Sequence, residues 1–418
     1  MKAVSIALVV GLAGCTFVQP VSAAGSPKFT EKVVYSFAGG ADGYVPVAGL
    51  IDVDGMLYGT TLLGGTGCAG GLGCGTVFSL DPGSGAELVV YSFCTQPNCS
   101  DGSLPYVGLI DVEGTLYGTT HQGGSVGCRG VGCGTVFSLD PNTGAESVLH
   151  SVRRAHGSEP NGLTDIGVDL YGTTEDGGAR NCECGTVLSI NRRTGALIVL
   201  HSFGGGADGA HPVAGLINVN GILYGTTSQG GGPDCAGSGC GTVFSIDVSR
   251  GTEKVLYSFA GGADGASPQA GMIYLDGVLY GTTQAGGGEG CTASEPPGCG
   301  TVFAFDPNTG TESVLHSFGK STDGQIPNAG LIAMNGMLYG TTVYGGVNRG
   351  GTAFSLDPGT DAERVVYAFC SQQNCTDGTS PFANLIDVKG VLYGITAYGG
   401  TSGHGAVFAL KRKDPTTH

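Results

Sequence analysis

The sequence predicts an all-β fold: a seven-bladed β-propeller of four-stranded blades, closed by the N-terminal strand in the last blade. Three observations carry this. The string Leu-Tyr-Gly-Thr-Thr at Leu57–Thr61 returns at Leu116–Thr120, Leu170–Thr174, Leu223–Thr227, Leu279–Thr283 and Leu338–Thr342, and once more as Leu392–Thr396 with Ile395 for the first Thr. The copies recur every 53 to 59 residues, the mark of a repeat architecture with blade-sized units. Each unit holds four short β-like segments between turn signals, and nothing after residue 24 shows the 3.6-residue apolar period of a helix. The third observation is an offset at the ends. A Tyr-Ser-Phe strand, Lys32–Phe37, precedes the first unit, and the last unit stops after its third strand, Gly405–Leu410. Pairing these leftovers closes the ring and removes two edges that would invite aggregation. A β-solenoid is the competing architecture, but it would need capping units at both ends, and neither end supplies one.

The elements of one unit follow in order. Ala48–Val53 is an apolar run ending at Asp54-Gly55, a dipeptide suited to a two-residue hairpin because both central residues need positive φ. Met56–Thr61 is the return strand, and a Gly- and Cys-rich loop follows. Gly75–Leu80 alternates as a half-buried strand does, Asp81–Gly85 is a turn cluster, and Leu88–Phe93 is the fourth strand. The 81 glycines fit tight turns rather than disorder, because β-branched and aromatic residues recur between them at fixed offsets.

Residues 1–24 read as a targeting segment, Lys2 followed by an apolar run. It offers two exits. Leu12-Ala13-Gly14-Cys15 resembles a bacterial lipobox, which would leave Cys15 lipidated; Val21-Ser22-Ala23 before Ala24 resembles an ordinary signal-peptidase site. Either places the protein outside the cytoplasm, secreted or lipid-anchored at the bacterial surface. The propeller is expected over 30–411 and a short tail over 412–418.

Cysteine usage agrees. Of fifteen Cys, one lies in the targeting segment and fourteen form sequence-local pairs: Cys68/Cys74, Cys94/Cys99, Cys128/Cys133, Cys182/Cys184, Cys235/Cys240, Cys291/Cys299 and Cys370/Cys375. In an exported chain these read as disulfides, each stapling one loop. Zinc would need four ligands brought together, and pairs on separate blades do not supply them.

In propeller topology the loop between the second and third strands and the loop between blades emerge on one face. Here those are the long, Cys-bearing loops, so that face is the expected working face. The formal net charge of −16 argues against nucleic acid and anionic lipid as partners. A membrane contact is expected only through an N-terminal lipid. There is no nucleotide loop, Ser-His-Asp motif or spaced metal-ligand set, so no cofactor and no metal is expected, and the chain is expected to act as a monomer.

The blocks Leu-Tyr-Gly-Thr-Thr-x-x-Gly-Gly, Gly-Thr-Val-Phe-Ser-Leu-Asp and Val-Leu-Tyr-Ser-Phe with a following Asp-Gly and Pro resemble the Gloeo/Verruco (GloVer) tandem repeat over about residues 32–410. The resemblance implies an exported bacterial repeat protein of a group that carries varied surface anchors. It brings no catalytic set to carry over. The lack of a C-terminal anchor departs from some members and puts weight on Cys15.

Residues common to every unit read as scaffold. The Thr pairs fit strand packing, and the Asp ring (Asp42, Asp101, Asp208, Asp264, Asp323, Asp377) fits Asx-type turns, with a calcium-binding carboxylate ring as the rival. Departures concentrate in the third unit. It reads Val152-Arg153-Arg154-Ala155-His156-Gly157, with His156 where the ring has Asp, followed later by Glu175, Asp176, Arg180 and Glu183; His121 stands at the matching place in the second unit. One reading is a divergent blade with solvated, mutually paired charges. The other is a pocket for an acidic ligand, Arg153 or Arg154 neutralising a uronate and His121 or His156 acting as base in a β-elimination. A second feature is aromatic: Tyr44, Tyr106, Phe382, Tyr344 and Tyr398 fall on the long-loop face and offer a stacking surface for sugars, although the chain has no Trp. The expected function is a non-catalytic surface module that binds an extracellular carbohydrate or surface protein on this face. The alternative is a polysaccharide lyase or hydrolase using His121, Arg153, Arg154 and His156.

Overall fold

The computed structural model describes residues 29–68, 73–125, 127–179, 182–287, 291, 298–319 and 322–413. It contains seven antiparallel sheets, each one blade. In blade 1, strand A is Ile51–Val53 at the axis, B is Met56–Thr61, C is Thr76–Leu80 and D, outermost, is Glu87–Ser92. Blades 2, 3, 4 and 6 repeat this over 110–151, 158–202, 217–258 and 332–368. Blade 5, over 273–317, adds Gly286–Gly287 parallel to Gly298–Asp306. Blade 7 takes A to C from the end of the chain and D from its start: Phe29–Ser36 pairs antiparallel with Ala406–Arg412, which closes the ring. Helical structure among the described residues is limited to six single 3-10 turns. Residues 1–28, with Cys15 and both leader exits, lie outside the described residues.

The turns form for the reasons the sequence gives. Asp54 and Gly55 have φ of 53° and 89°, both positive as a two-residue hairpin demands. Strand A is shorter than the apolar run before it, because Ala48, Gly49 and Leu50 line the axis rather than pair along their own blade.

The core is divided among the seven seams, each cluster drawing on two adjacent blades. Phe37, Leu57 and Phe78 meet Val388, Ile395 and Val407 where blade 1 meets blade 7. Six seams centre on an edge-to-face pair of Phe rings, such as Phe37–Phe78 at 5.1 Å and Phe369–Phe408 at 4.7 Å. The seam between blades 2 and 3 has Val152 and Leu188 instead, both buried.

The Gly of Leu-Tyr-Gly-Thr-Thr is explained by this packing. A Cβ on Gly59 would lie 2.7 Å from Phe78 Cζ and 2.9 Å from Leu50 Cδ2, so the seam ring occupies the space a side chain would need. The Thr pair divides its work. The first Thr reaches the next blade, as Thr173 Oγ1 donates to the Ala214 carbonyl at 2.8 Å; the second bonds across its own blade, Thr61 Oγ1 to Thr76 Oγ1 at 2.8 Å.

All seven expected disulfides are formed: Cys68–Cys74, Cys94–Cys99, Cys128–Cys133, Cys182–Cys184, Cys235–Cys240, Cys291–Cys299 and Cys370–Cys375. Each staples one loop, as expected, and the pairs are of two kinds. Five lie between strands B and C, and in each the second cysteine is buried: Cys74, Cys133, Cys184, Cys240 and Cys299. These five anchor the loop to the protein interior, where the disulfide sulfur packs as a small apolar group. The other two, Cys94–Cys99 and Cys370–Cys375, sit in inter-blade loops. There Cys99 and Cys375 have φ of 51° and 52°, and each carbonyl accepts two N–H groups, Gly378 and Gly400 in the case of Cys375. In these two loops the bridge holds a left-handed turn rather than an anchor in the core.

Candidate functional site

Every inter-blade loop enters strand A through an X-Pro step, and X is left-handed each time. Val45, Leu104, Glu159, His211, Ser267, Ile326 and Ser380 have φ between 53° and 60°. None is glycine, two are β-branched, and a residue before proline ordinarily prefers extended backbone. The conformation is imposed by hydrogen bonds on both sides. Ile326 N–H donates to the Cys299 carbonyl at 2.8 Å, and its own carbonyl accepts from Val343 N–H at 3.0 Å; His211 is pinned likewise by Cys184 and Ser228. Leu104, Glu159 and Ser267 donate in the same way to Cys74, Cys133 and Cys240. The buried cysteine of each B–C disulfide is therefore the acceptor that holds the next loop's pre-proline residue. An invariant backbone thus presents a variable side chain around the mouth of the axial channel. Strain held in place by a scaffold is a signature of functional positions.

Below the mouth lies an axial cavity of about 470 Å³. Its lining is largely glycine and aliphatic residues, and the A strands approach one another closely through Gly49, Gly108, Gly162, Gly215, Gly271 and Gly330. Asn384 stands at the seventh position of this ring, its Oδ1 accepting from Gly330 N–H at 2.6 Å. Tyr106 and Phe382 contribute rings, and Gln269 and Asn328 contribute amides.

Side chains that can do chemistry gather on one side of the mouth, over blades 2 to 4. Blade 3 lacks the residue that follows the loop proline elsewhere, which places Asn161 where most blades have Ala. Asn161 is buried and donates to the Pro212 carbonyl at 2.9 Å. Beside it, the His121 ring packs on Tyr106 with centroids 4.8 Å apart. Burial pushes the His121 imidazole down to about 4, with Asn161 opposing only in part, so His121 is neutral near pH 7. Its Nε2 is enclosed and has no hydrogen-bond partner.

Glu175 follows on the next B strand. Burial first, then the charges of Glu159 and Asp176, raise its carboxyl above the ordinary range, while His211 offsets them in part. His211 Nδ1 lies 2.9 Å from Asp176 Oδ1. Burial and the Glu175 charge together raise the Tyr106 phenol. Tyr106, His121, Glu159, Asn161, Glu175, Asp176 and His211 therefore form one cluster, net acidic.

Of the residues singled out from sequence, the structure brings Tyr106, His121, Glu175 and Asp176 together. Arg154 is paired with Glu183 in a smaller rim cavity of about 280 Å³, which Glu159 and Asp176 also line. Arg153 is exposed. His156 turns into the seam behind blade 3, its ring 5.7 Å from that of His150, and none of the contacts that fix it involves His121. Arg180 lies outside the described residues. Tyr44 packs on His404 at 5.5 Å, Phe382 lines the cavity, and Tyr344 and Tyr398 are 49% and 48% exposed on blades 6 and 7. Glu159, Asn161 and His211 were not singled out. The signal that could have found Glu159 and His211 is the residue before each loop proline, which varies while the proline repeats; for Asn161 it is the residue missing after Pro160.

The Asp ring is occupied within the scaffold. Asp42 accepts from Tyr35 Oη at 2.7 Å and Ala38 N–H at 2.5 Å, bracing the loop to strand D rather than forming a turn with the following Gly. At two seams the partner is His, beside Asp208 and Asp323, and at the first of them ligand atoms of His201, Asp208 and Glu253 lie within 4.8 Å of one another. The sulfurs of Cys68, Cys74, Cys94 and Cys99 are equally close but are joined as two disulfides.

The family described as the Gloeobacter/Verrucomicrobia repeat matches residues 21–181, 69–294 and 290–418. No curated protein matches the chain. Among solved structures, the extracellular domain assigned to a hybrid two component system of B. thetaiotaomicron aligns with TM-score 0.60 at 11% identity, over 94% of this chain and 40% of that one. A protein from Bacteroides uniformis assigned as a 6-phosphogluconolactonase aligns with TM-score 0.52 at 14% identity, over 82% of this chain and 89% of that one. This chain spans about two fifths of the length of the first of these structures. At such identities the likeness shows the fold.

Proposed function

The chain belongs to the Gloeobacter/Verrucomicrobia repeat family, and from that premise we propose that it is an exported, non-catalytic binding module that holds a carbohydrate or surface protein on its long-loop face. The observation that carries the reading is the pinned ring of left-handed pre-proline residues, which presents different side chains above a preformed cavity of about 470 Å³. Recognition sites are of this kind: concave, preformed, mostly apolar, with a few convergent polar groups. Seven loop disulfides support an oxidising location.

Elimination from a uronate would need an unpaired cation beside a base. Here Arg154 is committed to Glu183, and the His121 ring packs on Tyr106 beside Asn161. The test is oxidised protein probed on immobilised glycans and surface extracts, with a parallel assay for unsaturated and reducing sugar ends. Retention of a ligand that is lost in Tyr106→Ala, without new chain ends, is the expected result. New unsaturated ends on a uronate polymer, abolished by His121→Ala, would overturn it.

A further inference from the structure

We propose that two seams, between blades 3 and 4 and between blades 5 and 6, each bind a divalent transition-metal ion of the zinc class through one imidazole and two carboxylates. The ligands are His201, Asp208 and Glu253 at the first seam and His316, Asp323 and Glu363 at the second. The assignment does not depend on what the mouth binds. The first triad draws on three separate elements: strand D of blade 3, the 3-10 turn after it and strand D of blade 4. One ligand atom from each lies within 4.8 Å of the other two. The second triad takes the same repeat positions, with His316 on Thr311–Ser317 and Glu363 on Ala362–Ala368.

The spacing is that of co-ligands rather than of a strong hydrogen bond. Where the bridging residue is Tyr, its Oη lies 2.6 to 2.9 Å from one Asp oxygen. His201 Nε2 instead lies 3.2 and 3.3 Å from the two oxygens of Asp208, and His316 Nε2 lies 3.5 Å from Asp323 Oδ2. Metal arms of about 2.0–2.2 Å at tetrahedral angles set neighbouring ligand atoms roughly 3.3–3.6 Å apart. Unsatisfied atoms point the same way. At the second seam His316 Nε2, Asp323 Oδ1 and Glu363 Oε1 are all enclosed without a hydrogen-bond partner, as is Glu253 Oε1 at the first. Native structures rarely leave such groups unmade, and one ion would satisfy them together. The contact between His201 and Asp208 joins two members of the set, so an entering ion replaces a proton and not a competing cation.

Packing holds each imidazole edge-on to its seam Phe, His201 to Phe203 at 4.8 Å and His316 to Phe318 at 4.7 Å. The His201 and Asp208 side chains are 15% and 24% exposed, which leaves a way in and room for a water at the fourth position. One nitrogen with carboxylate oxygens and no thiolate suits a zinc-class ion rather than calcium, which takes oxygens, or a soft copper(I) ion. Such an ion ties two blades across a seam. None of the seven disulfides does this, since each closes one loop. Without the ion the two triads are His-bridged counterparts of the four Tyr-bridged seams.

In the experiment, oxidised, metal-stripped protein is dialysed against micromolar zinc chloride, with calcium chloride in parallel, and bound metal is counted by plasma mass spectrometry. Two zinc ions per chain are expected, one lost in His201→Tyr and both in the double variant His201→Tyr, His316→Tyr. These replacements install the residue that four other seams carry, so the metal-free variants are expected to melt within a few degrees of the natural chain. Zinc is expected to raise the melting temperature of the natural chain by several degrees and to leave the double variant unmoved. Tyr257→His, which sets an imidazole between Asp264 and Glu312, is expected to gain an ion. No zinc on the natural chain, equal zinc on the double variant, or no gain in Tyr257→His overturns the assignment. Equal retention of calcium overturns the metal class. An ion count that His316→Tyr leaves unchanged overturns the second seam.

Discussion

Tyr91 Oη lies 2.9 Å from Asp101 Oδ2 in its own inter-blade loop and 3.4 Å from Glu146 Oε2 on strand D of the next blade. Tyr257 bridges Asp264 and Glu312 in the same way, and Tyr367 bridges Asp377 and Glu31. Tyr35 joins Asp42 and Glu87; His201 and His316 take the Tyr place beside Asp208 with Glu253 and Asp323 with Glu363. Each of these six seams thus brings two carboxyl groups together, and in all six Glu residues Oε1 is enclosed without a partner. Two adjacent carboxylates cannot both ionise cheaply.

The first prediction is a stability that declines toward alkaline pH. Burial first, and in most seams the nearby Asp charge next, raise Glu31, Glu146, Glu253, Glu312 and Glu363 to about 7 and Glu87 to about 8. A carboxyl whose folded value is raised contributes stability that is fully present below its ordinary value of 4.5 and is lost as pH rises through 7 to 8. His121 works the other way, its contribution being lost as pH falls from 6.5 through 4, and His156 is lowered too, but the two act on the acid side of the six carboxyls. Melting temperature followed from pH 5 to pH 9 is expected to fall by several degrees. A flat or rising profile would show that the seam carboxyls are not shared.

The second concerns the glycine of the repeated string. Gly59→Ala forces a methyl against Phe78 and Leu50 and is expected to destabilise by about 1–3 kcal/mol, the usual cost of overpacking. Blade 3 is the internal control. Leu188 replaces the Phe there, and the nearest atom to a Cβ on Gly172 is Leu163 Cδ2 at 3.1 Å. Gly172→Ala is expected to cost less than half as much in denaturant unfolding. Equal costs would mean that backbone conformation, not the seam ring, demands glycine.

The third concerns closure. Strand Phe29–Ser36 makes the outer ladder of blade 7 and carries Glu31 and Tyr35 to two different seams. A chain beginning at Ala38 would leave Ala406–Arg412 as an open edge, which favours pairing between molecules. It is expected to elute as oligomers in size-exclusion chromatography, and to return to monomer when a peptide spanning 29–37 is added. A stable monomer without the peptide would mean that the closing strand is dispensable.

The scaffold was legible in the sequence because it repeats. A hairpin such as Asp54-Gly55, a Thr pair or a Cys pair seen seven times, or nearly so, announces itself, and the offset between Lys32–Phe37 and Gly405–Leu410 gives the closure. The cysteine spacing showed which residues pair, but not that Cys133 and Cys240 would be buried while Cys375 holds a turn, since burial depends on the neighbouring blade. The site was only partly legible, because it is built from departures at different repeat positions. His121 and Glu175 share one position and were visible; Glu159 and His211 share another and meet them only through the ring. Asn161 depends on a missing residue that shifts its place along strand A. The Asp ring was visible, but its Glu partners were not, since each Glu sits on the next blade some 45 residues away, or across the ring closure for Glu31.

That last gap bears on His156, the departure most apparent in the sequence. Its seam has lost every partner at once: His156 for Asp, Leu197 for Glu, and Val152 and Leu188 for the two Phe rings. His150, in the bridging place, instead puts Nδ1 3.0 Å from the Gly195 carbonyl. A set that changes together is what a repacked seam requires, whereas a catalytic His would need only its own position to change. The triple replacement His150→Tyr, His156→Asp and Leu197→Glu should therefore fold, with stability at pH 5 within about 1 kcal/mol of the natural chain. It should add a seventh carboxyl pair, so the alkaline fall in melting temperature should steepen. Ligand binding at the mouth should change by less than about twofold, which is under 0.5 kcal/mol. Binding that disappears while the melting profile steepens as expected would place His156 at the ligand after all, and would restore the acidic-ligand pocket as the reading to pursue.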